Sequence, residues 1–254
     1  SGIRLYVSKI VVHYGPASLS FPVRQWLSPN VLPAISRMPQ VPNVVVTYVG
    51  ELVTDKWLAI VDASLNGNNP CVEAPVAAAA ADHLHSGKVL AASGTKAVTI
   101  PQAGANLLNA AKTFTVCYAE TNGGTSDASW RDSYVRLLVT KIETFSAHDV
   151  THKTDGSIAK TPALVLTYGG SLAQNMWVSL VDETKNGMFP CALPSEAASN
   201  AAALASPPNS AYSGVDQAGS SDRAVQWDTT VMDTSLTYAL CYAESSGDAT
   251  DTTW

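Results

Sequence analysis

Apolar positions along the chain fall in short runs of strand length, each bounded by Gly, Asn, Asp or Pro. NVVVTYV (43–49), KWLAIVD (56–62) and TFTVCYAE (113–120) are rich in β-branched and aromatic residues and predict strands. ALVLTYG (163–169), MWVSLVD (176–182) and LTYALCYAE (236–244) predict three more, and RLYVSKIVV (4–12) and VRLLVTKIETF (135–145) read as opening strands. In KWLAIVD, Trp57, Ala59 and Val61 point one way and Leu58, Ile60 and Asp62 the other. Both faces are largely apolar, which predicts a central strand. Helical periodicity of useful length is missing. Two Ala-rich stretches, 74–84 and 196–205, suggest short helices, and Pro207-Pro208 stops the second. The expected fold class is all-β, of the sandwich type.

These strands recur in register. Residues 41–71, VPNVVVTYVGELVTDKWLAIVDASLNGNNPC, align without a gap with residues 161–191, TPALVLTYGGSLAQNMWVSLVDETKNGMFPC, at an offset of 120. FTVCYAETNGGTSDASW (114–130) matches YALCYAESSGDATDTTW (238–254) at an offset of 124, and SGIRLYVSKI from Ser1 echoes SYVRLLVTKI from Ser133. A tandem duplication with units of about 125 residues follows, long enough for each copy to own a core. The expected domains are two homologous β-sandwich-like repeats, 1–130 and 131–254. The turnover DASW-RDSYVRL has no Pro/Gly linker, which predicts copies held in a fixed relation, with room for a further unit beyond Trp254. Asn66-Gly67 and Asn186-Gly187 suit tight turns, after which Pro70-Cys71 and Pro190-Cys191 are expected to resume extended chain. Residues 11–40 are apolar, proline-bearing and without a close counterpart, so they are the candidate for covering a sheet edge or a neighbouring molecule.

Composition narrows the function classes. Charged residues make up 14% of the 254, well below the usual quarter, so the surface is poorly defended against association. A net charge of −6 without a basic stripe argues against nucleic-acid binding. No apolar run approaches the roughly 20 residues of a membrane helix, so no membrane insertion is expected. Ser1 already lies on the first repeat motif and no leader precedes it, which suggests a processed product. The four cysteines fall as one pair per copy, Cys71 with Cys117 and Cys191 with Cys241. Their spacing is not that of a zinc site, which leaves an intradomain disulfide in each copy or buried thiols acting as small hydrophobes. The absence of an N-x-S/T acceptor counts against a glycosylated secretory route.

The chain lacks recognisable catalytic machinery. There is neither a G-x-S-x-G elbow nor a phosphate-cradling glycine motif. His83 and His85 flank Leu84 beside Asp82, but copy two has no such pair and spacing indicates no third ligand. His148 and His152 read as a surface cluster. Asp62 and Asp182, Glu120 and Glu244, and Arg4 and Arg136 recur between copies, and a charge-paired network at the sheet margin is the simplest account. Asp62 with Glu120 keeps glycoside hydrolysis formally open. Trp57 and Trp177 read as core residues, although a Trp on an open sheet face can stack on a sugar ring. The expectation is therefore a non-enzyme with no catalytic, cofactor-binding or metal-binding residues and no cofactor.

The C-Y-A-E motif followed by W-R-D-S-x-V-R-L, together with the W-L-A-I-V-D…N-G…P-C block, resembles the duplicated repeat of the pyrenoid shell proteins of marine algae, over most of both copies. The resemblance implies a structural protein that assembles into a sheet around the Rubisco condensate in the chloroplast stroma, at the pyrenoid periphery. It implies partners of two kinds: the protein itself through lateral contacts, and Rubisco or the pyrenoid matrix. A removed transit sequence and free thiols in a reducing compartment would follow. The rival from another class is an extracellular or cell-surface binding module, lectin-like and using an exposed Trp.

Overall fold

A computed structural model describes residues 8–14, 21–23, 36–152, 156–199 and 208–254. Among the described residues the regular structure is mostly strand, with helical turns of three or four residues, an all-β fold. It divides into two compact units, Ser1–Lys141 and Ile142–Trp254.

The first unit contains β1 (Val11–Tyr14), β2 (Phe21–Val23), β3 (Ser36–Pro39), β4 (Val44–Val49), β5 (Trp57–Asp62), β6 (Val89–Leu90), β7 (Ala97–Ile100), β8 (Thr113–Ala119) and β9 (Arg131–Thr140). They form two sheets, in the orders β2-β1-β4-β7 and β3-β9-β8-β5-β6. All pairings are antiparallel except that of β3 with β9. On β4, Val44, Val46 and Tyr48 alternate inward. They meet Val98 and Ile100 of β7 and, from the second sheet, Leu58, Ile60, Phe114, Val116, Leu137 and Val139 in one core. Strand β5 lies inside its sheet, between β8 and β6. Its second apolar face, Ala59 and Val61, is covered by a separate layer containing Cys71, Ala77, Cys117 and Trp130. That layer explains why KWLAIVD lacks a polar face.

The second unit contains β10 (Ile142–Ala147), β11 (Val150–His152), β12 (Leu164–Gly170), β13 (Trp177–Asp182), β14 (Tyr212–Gln217), β15 (Ala224–Trp227) and β16 (Tyr238–Ala243). Its sheets have the orders β11-β10-β12-β15 and β14-β13-β16, all antiparallel. Leu164, Leu166 and Tyr168 of β12 meet Val178 and Leu180 of β13 in a core with Val225, Trp227 and Met232. The repeated sequence turns over at 130/131, whereas the compact units divide at 141/142. The segment between is β9, which opens the second stretch of repeated sequence and is hydrogen-bonded to β8 of the first unit.

Local geometry follows the sequence at the N-G turns, where Asn66 and Gly67 have φ of 46° and 62°, as do Asn186 and Gly187. The Pro-Cys steps differ from expectation. Pro70–Val72 and Pro190–Ala192 each form a 3-10 turn instead of extended chain. Proline suits the first position of a helical turn, where its fixed φ is preorganised and no amide is needed. This turn brings Cys71 back over the sheet, and both cysteine pairs are disulfides, with Cα separations of 5.2 Å for Cys71–Cys117 and 5.1 Å for Cys191–Cys241. The Ala-rich stretches supply one helical turn each, Ala74–Ala77 and Pro194–Ala197; residues 200–207 lie outside the described residues. Of residues 11–40, 15–20 and 24–35 are likewise outside, while β3 lines the free edge of β9.

Each disulfide staples the turn layer to the sheet across a loop of 46 or 50 residues. Replacing Cys71 and Cys117 together by Ala is expected to lower stability by about 2–4 kcal/mol. Denaturant unfolding without reductant measures the loss, and intact mass confirms the bonds as four hydrogens fewer than the thiol form.

Candidate functional site

The polar residues repeated between the two stretches organise turns. Asp62 closes β5 and accepts hydrogen bonds from the Ser64 amide (2.9 Å) and hydroxyl (2.8 Å), with Lys112 Nζ at 3.3 Å. Burial alone would raise its pKa, but these donors outweigh burial and hold it below the usual carboxylate range. Asp182 receives the same two bonds from Thr184. Arg136 forks onto Asp132, at 2.8 Å to Oδ2 and 2.9 Å to Oδ1, and also bonds Thr115. Among the described residues Arg136 is thus paired with Asp132, Asp62 with Lys112 and Glu120 with Lys9. Arg4 lies outside the described residues.

The carboxylate pair that kept hydrolysis open is not brought together. Trp57 pairs with Ala119 and Asp62 with Phe114, so Glu120 and Asp62 sit at opposite ends of the β5–β8 ladder. Five residue steps along β5 make about 16 Å, well beyond the roughly 5–9.5 Å a glycosidase needs. Glu120 instead forms an exposed ion pair with Lys9 at 2.8 Å.

The histidines do not converge either. Asp82 accepts from the Leu84 and His85 amides and contacts His85 Nδ1 at 2.9 Å, closing a loop. Among the described residues no group of three or more His, Cys, Asp or Glu could hold a metal ion. His148 has a positive φ of 49° in the β10–β11 turn, and His152 tilts against Phe145. The two tryptophans are covered by glycine turns. A Cβ on Gly123 would stand 2.5 Å from the Trp57 ring, and one on Gly247 2.4 Å from that of Trp177, so neither ring offers this face to a ligand.

A second pair of aspartates escaped sequence reading. Asp127 is buried and accepts the amides of Asn122, Gly123 and Ser129 together with the Ser129 hydroxyl. Asp251 does the same with Ser246, Gly247 and Thr253. The available signal was an Asp three residues before Trp130 and before Trp254. These turns set the glycines on the Trp57 and Trp177 rings.

Among the described residues the units differ at β16. In the first unit β9 is inserted between β3 and β8, pairing Leu137 with Phe114 and Ser36. Around it Met38, Ile60, Leu108 and Phe114 are fully buried. At the matching positions of the second unit, Ile158, Leu180, Met232 and Tyr238 line an open cavity of about 550 Å³. Among the described residues β16 pairs with β13 alone. Tyr238, Ala239 and Leu240 are only half-buried, whereas Phe114, Thr115 and Val116 are 0% exposed.

Compared with family models, curated proteins and solved structures, the chain finds no match. No helix among the described residues is long and apolar enough to cross a membrane.

The Asp127 turn has a pH signature. Burial raises its pKa, but the Ser129, Gly123 and Asn122 hydrogen bonds prevail and hold it far below the ordinary value of about 3.9. With the folded value depressed, its contribution is complete above about pH 4 and is lost as pH falls toward the folded value. Asp127→Asn is expected to lose about 2–3 kcal/mol at neutral pH and to flatten the decline in stability below about pH 4. Urea unfolding across that range checks both.

Proposed function

We propose that this is a non-enzymatic structural protein, built as two sandwich-type domains from a duplicated unit, that assembles with copies of itself into a sheet-like or tubular shell. The observation that carries the reading is the half-buried stretch Tyr238–Leu240 of β16 beside an open cavity, a partly apolar surface that a neighbouring molecule could cover. The low charge content supports it, because few like charges oppose lateral packing. So does the employment of the repeated polar residues in turns instead of a shared cleft. The resemblance to pyrenoid shell proteins gives the shell its contents: the Rubisco condensate of an algal chloroplast, where an enclosing layer would support CO2 fixation. Rubisco or its matrix would meet one face of the layer.

The disulfides favour a second reading. Such bonds persist in oxidising compartments, which suits an extracellular or cell-surface binding module better than a reducing stroma. In the shell reading the same cysteines serve as buried apolar groups whichever redox state the compartment imposes; Cys71, Cys117 and Cys241 are 0% exposed.

Negative-stain electron microscopy of purified protein over a concentration series, at low and high salt, tests the proposal. Regular sheets or tubes above a threshold concentration are expected. Dispersed particles throughout, with saturable binding on a glycan array, would replace the shell with the binding module.

A further inference from the structure

We propose that the Cys191–Cys241 disulfide is a thiol-exchange site, opened by a small thiol that attacks Cys191, while Cys71–Cys117 in the same folded chain stays closed. This chemistry is independent of assembly.

The two bonds are matched in sequence and unmatched in cover. Cys191 repeats Cys71 at the 120-residue offset, and Cys241 repeats Cys117 at the 124-residue offset. In each unit the first cysteine sits in a 3-10 turn and the second on a sheet strand. Cys71 and Cys117 are both fully buried, in a layer with Ala59, Val61, Ala77 and Trp130. Strand β9 also packs on the turn Pro70–Val72 that holds Cys71. In the second unit the turn Pro190–Ala192 packs on β13, β16 and the neighbouring helical turns. Cys241 is fully buried there with Val181, Ala197 and Tyr212. Cys191 is only half-buried at the edge of that cluster, and so is Trp254, the counterpart of the fully buried Trp130. One cysteine of the second bond therefore reaches solvent, and neither of the first does.

Thiol–disulfide exchange requires a thiolate to approach one of the two sulfurs, so access selects both the bond and the atom attacked. At the second bond that atom is Cys191 Sγ. The thiolate of the small thiol forms a new S–S bond to it, and Cys241 Sγ leaves with the bonding pair and takes up the proton that the thiol released. A second molecule of thiol attacks the small-molecule sulfur of this mixed disulfide, giving the Cys191 thiol and the oxidised small-molecule disulfide. Two small thiols are oxidised and one protein disulfide is reduced. The leaving cysteine stays in place, because Cys241 is held on β16 opposite Ser179 of β13. Without a second thiol it can close the bond again, which makes the step reversible.

Opening removes the staple across the 50-residue loop of the second unit and leaves the 46-residue loop of the first closed. A reducing compartment would thus act on the second unit first, and an oxidising one would keep both staples.

The test adds reduced glutathione in graded amounts to the folded full chain, quenches with iodoacetamide and maps the peptides by mass spectrometry. Cys191 and Cys241 are expected to be released at least about tenfold faster than Cys71 and Cys117, with the glutathione adduct forming on Cys191. In full denaturant both bonds are expected to open at similar rates, which assigns the native difference to the fold. The native rate is expected to rise in proportion to glutathione and to stay level in urea too dilute to unfold the chain. A rate that climbs steeply in such urea would show that Cys191 is reached by unfolding of the second unit, and would overturn exchange in the folded state. Equal native rates, earlier opening of Cys71–Cys117, an adduct on Cys241 alone, resistance of both bonds, or a difference that persists in denaturant would overturn it as well.

Discussion

An interior strand of a sheet has two edges of hydrogen-bonding groups, and each must find a partner or water. In the first unit that constraint is met by β9, and much of the unit depends on it. Through β9 the outer edge of β8 is paired, β3 gains a neighbour, and Val135, Leu137 and Val139 reach the core between the sheets. The ladder accommodates an irregularity between Thr115 and Cys117, where Asp132, Thr115 and Arg136 join their side chains. A half-buried guanidinium and carboxylate in that position tie the strand's register to its partner, because a slip would separate both from their bonds.

Strand existence was legible because it is written locally. Runs such as NVVVTYV and KWLAIVD combine β-branched residues with bounding turn residues, and the two apolar faces of KWLAIVD correctly marked an interior strand. The N-G turns were legible for the same reason, since positive φ is a property of the residues themselves. Pro-Cys was misread because proline is compatible with both extended chain and the first position of a helical turn. Closure of the disulfide over the sheet decides between them, and that is a tertiary event. Pairing partners were less legible still. VRLLVTKIETF reads as one strand, yet residues on either side of Lys141 belong to different sheets. Periodicity records which face is apolar but not whose edge the strand will join.

Repetition carried its own ambiguity. A polar residue found twice invites a functional reading, and Asp62, Glu120 and their counterparts were natural candidates. The geometry assigns Asp62, Asp182, Asp127 and Asp251 to one task, gathering turn amides and hydroxyls around a carboxylate. Buried amides at tight turns have no strand partner, and a short acidic side chain satisfies two or three of them at once. The demand arises wherever the turn recurs, which is a structural reason for these residues to recur with it. The Asp127 and Asp251 pair was missed because burial within a polar, serine-rich stretch leaves no trace in hydropathy.

The two units also differ in how much of their apolar surface they cover for themselves. Phe114 is fully buried, and its counterpart Tyr238 carries a hydroxyl that takes the Asp233 amide and donates toward the Ser210 carbonyl at the rim of the cavity. Leu180 and Met232 line this cavity and are 6% and 5% exposed, whereas Ile60 and Leu108 are 0% exposed. If assembly covers the half-buried part of β16, folding stability and association become linked quantities, and the second unit is most stable where the protein is most concentrated. For a protein whose proposed work is to form a layer, such coupling favours the ordered state in the assembly over the isolated chain.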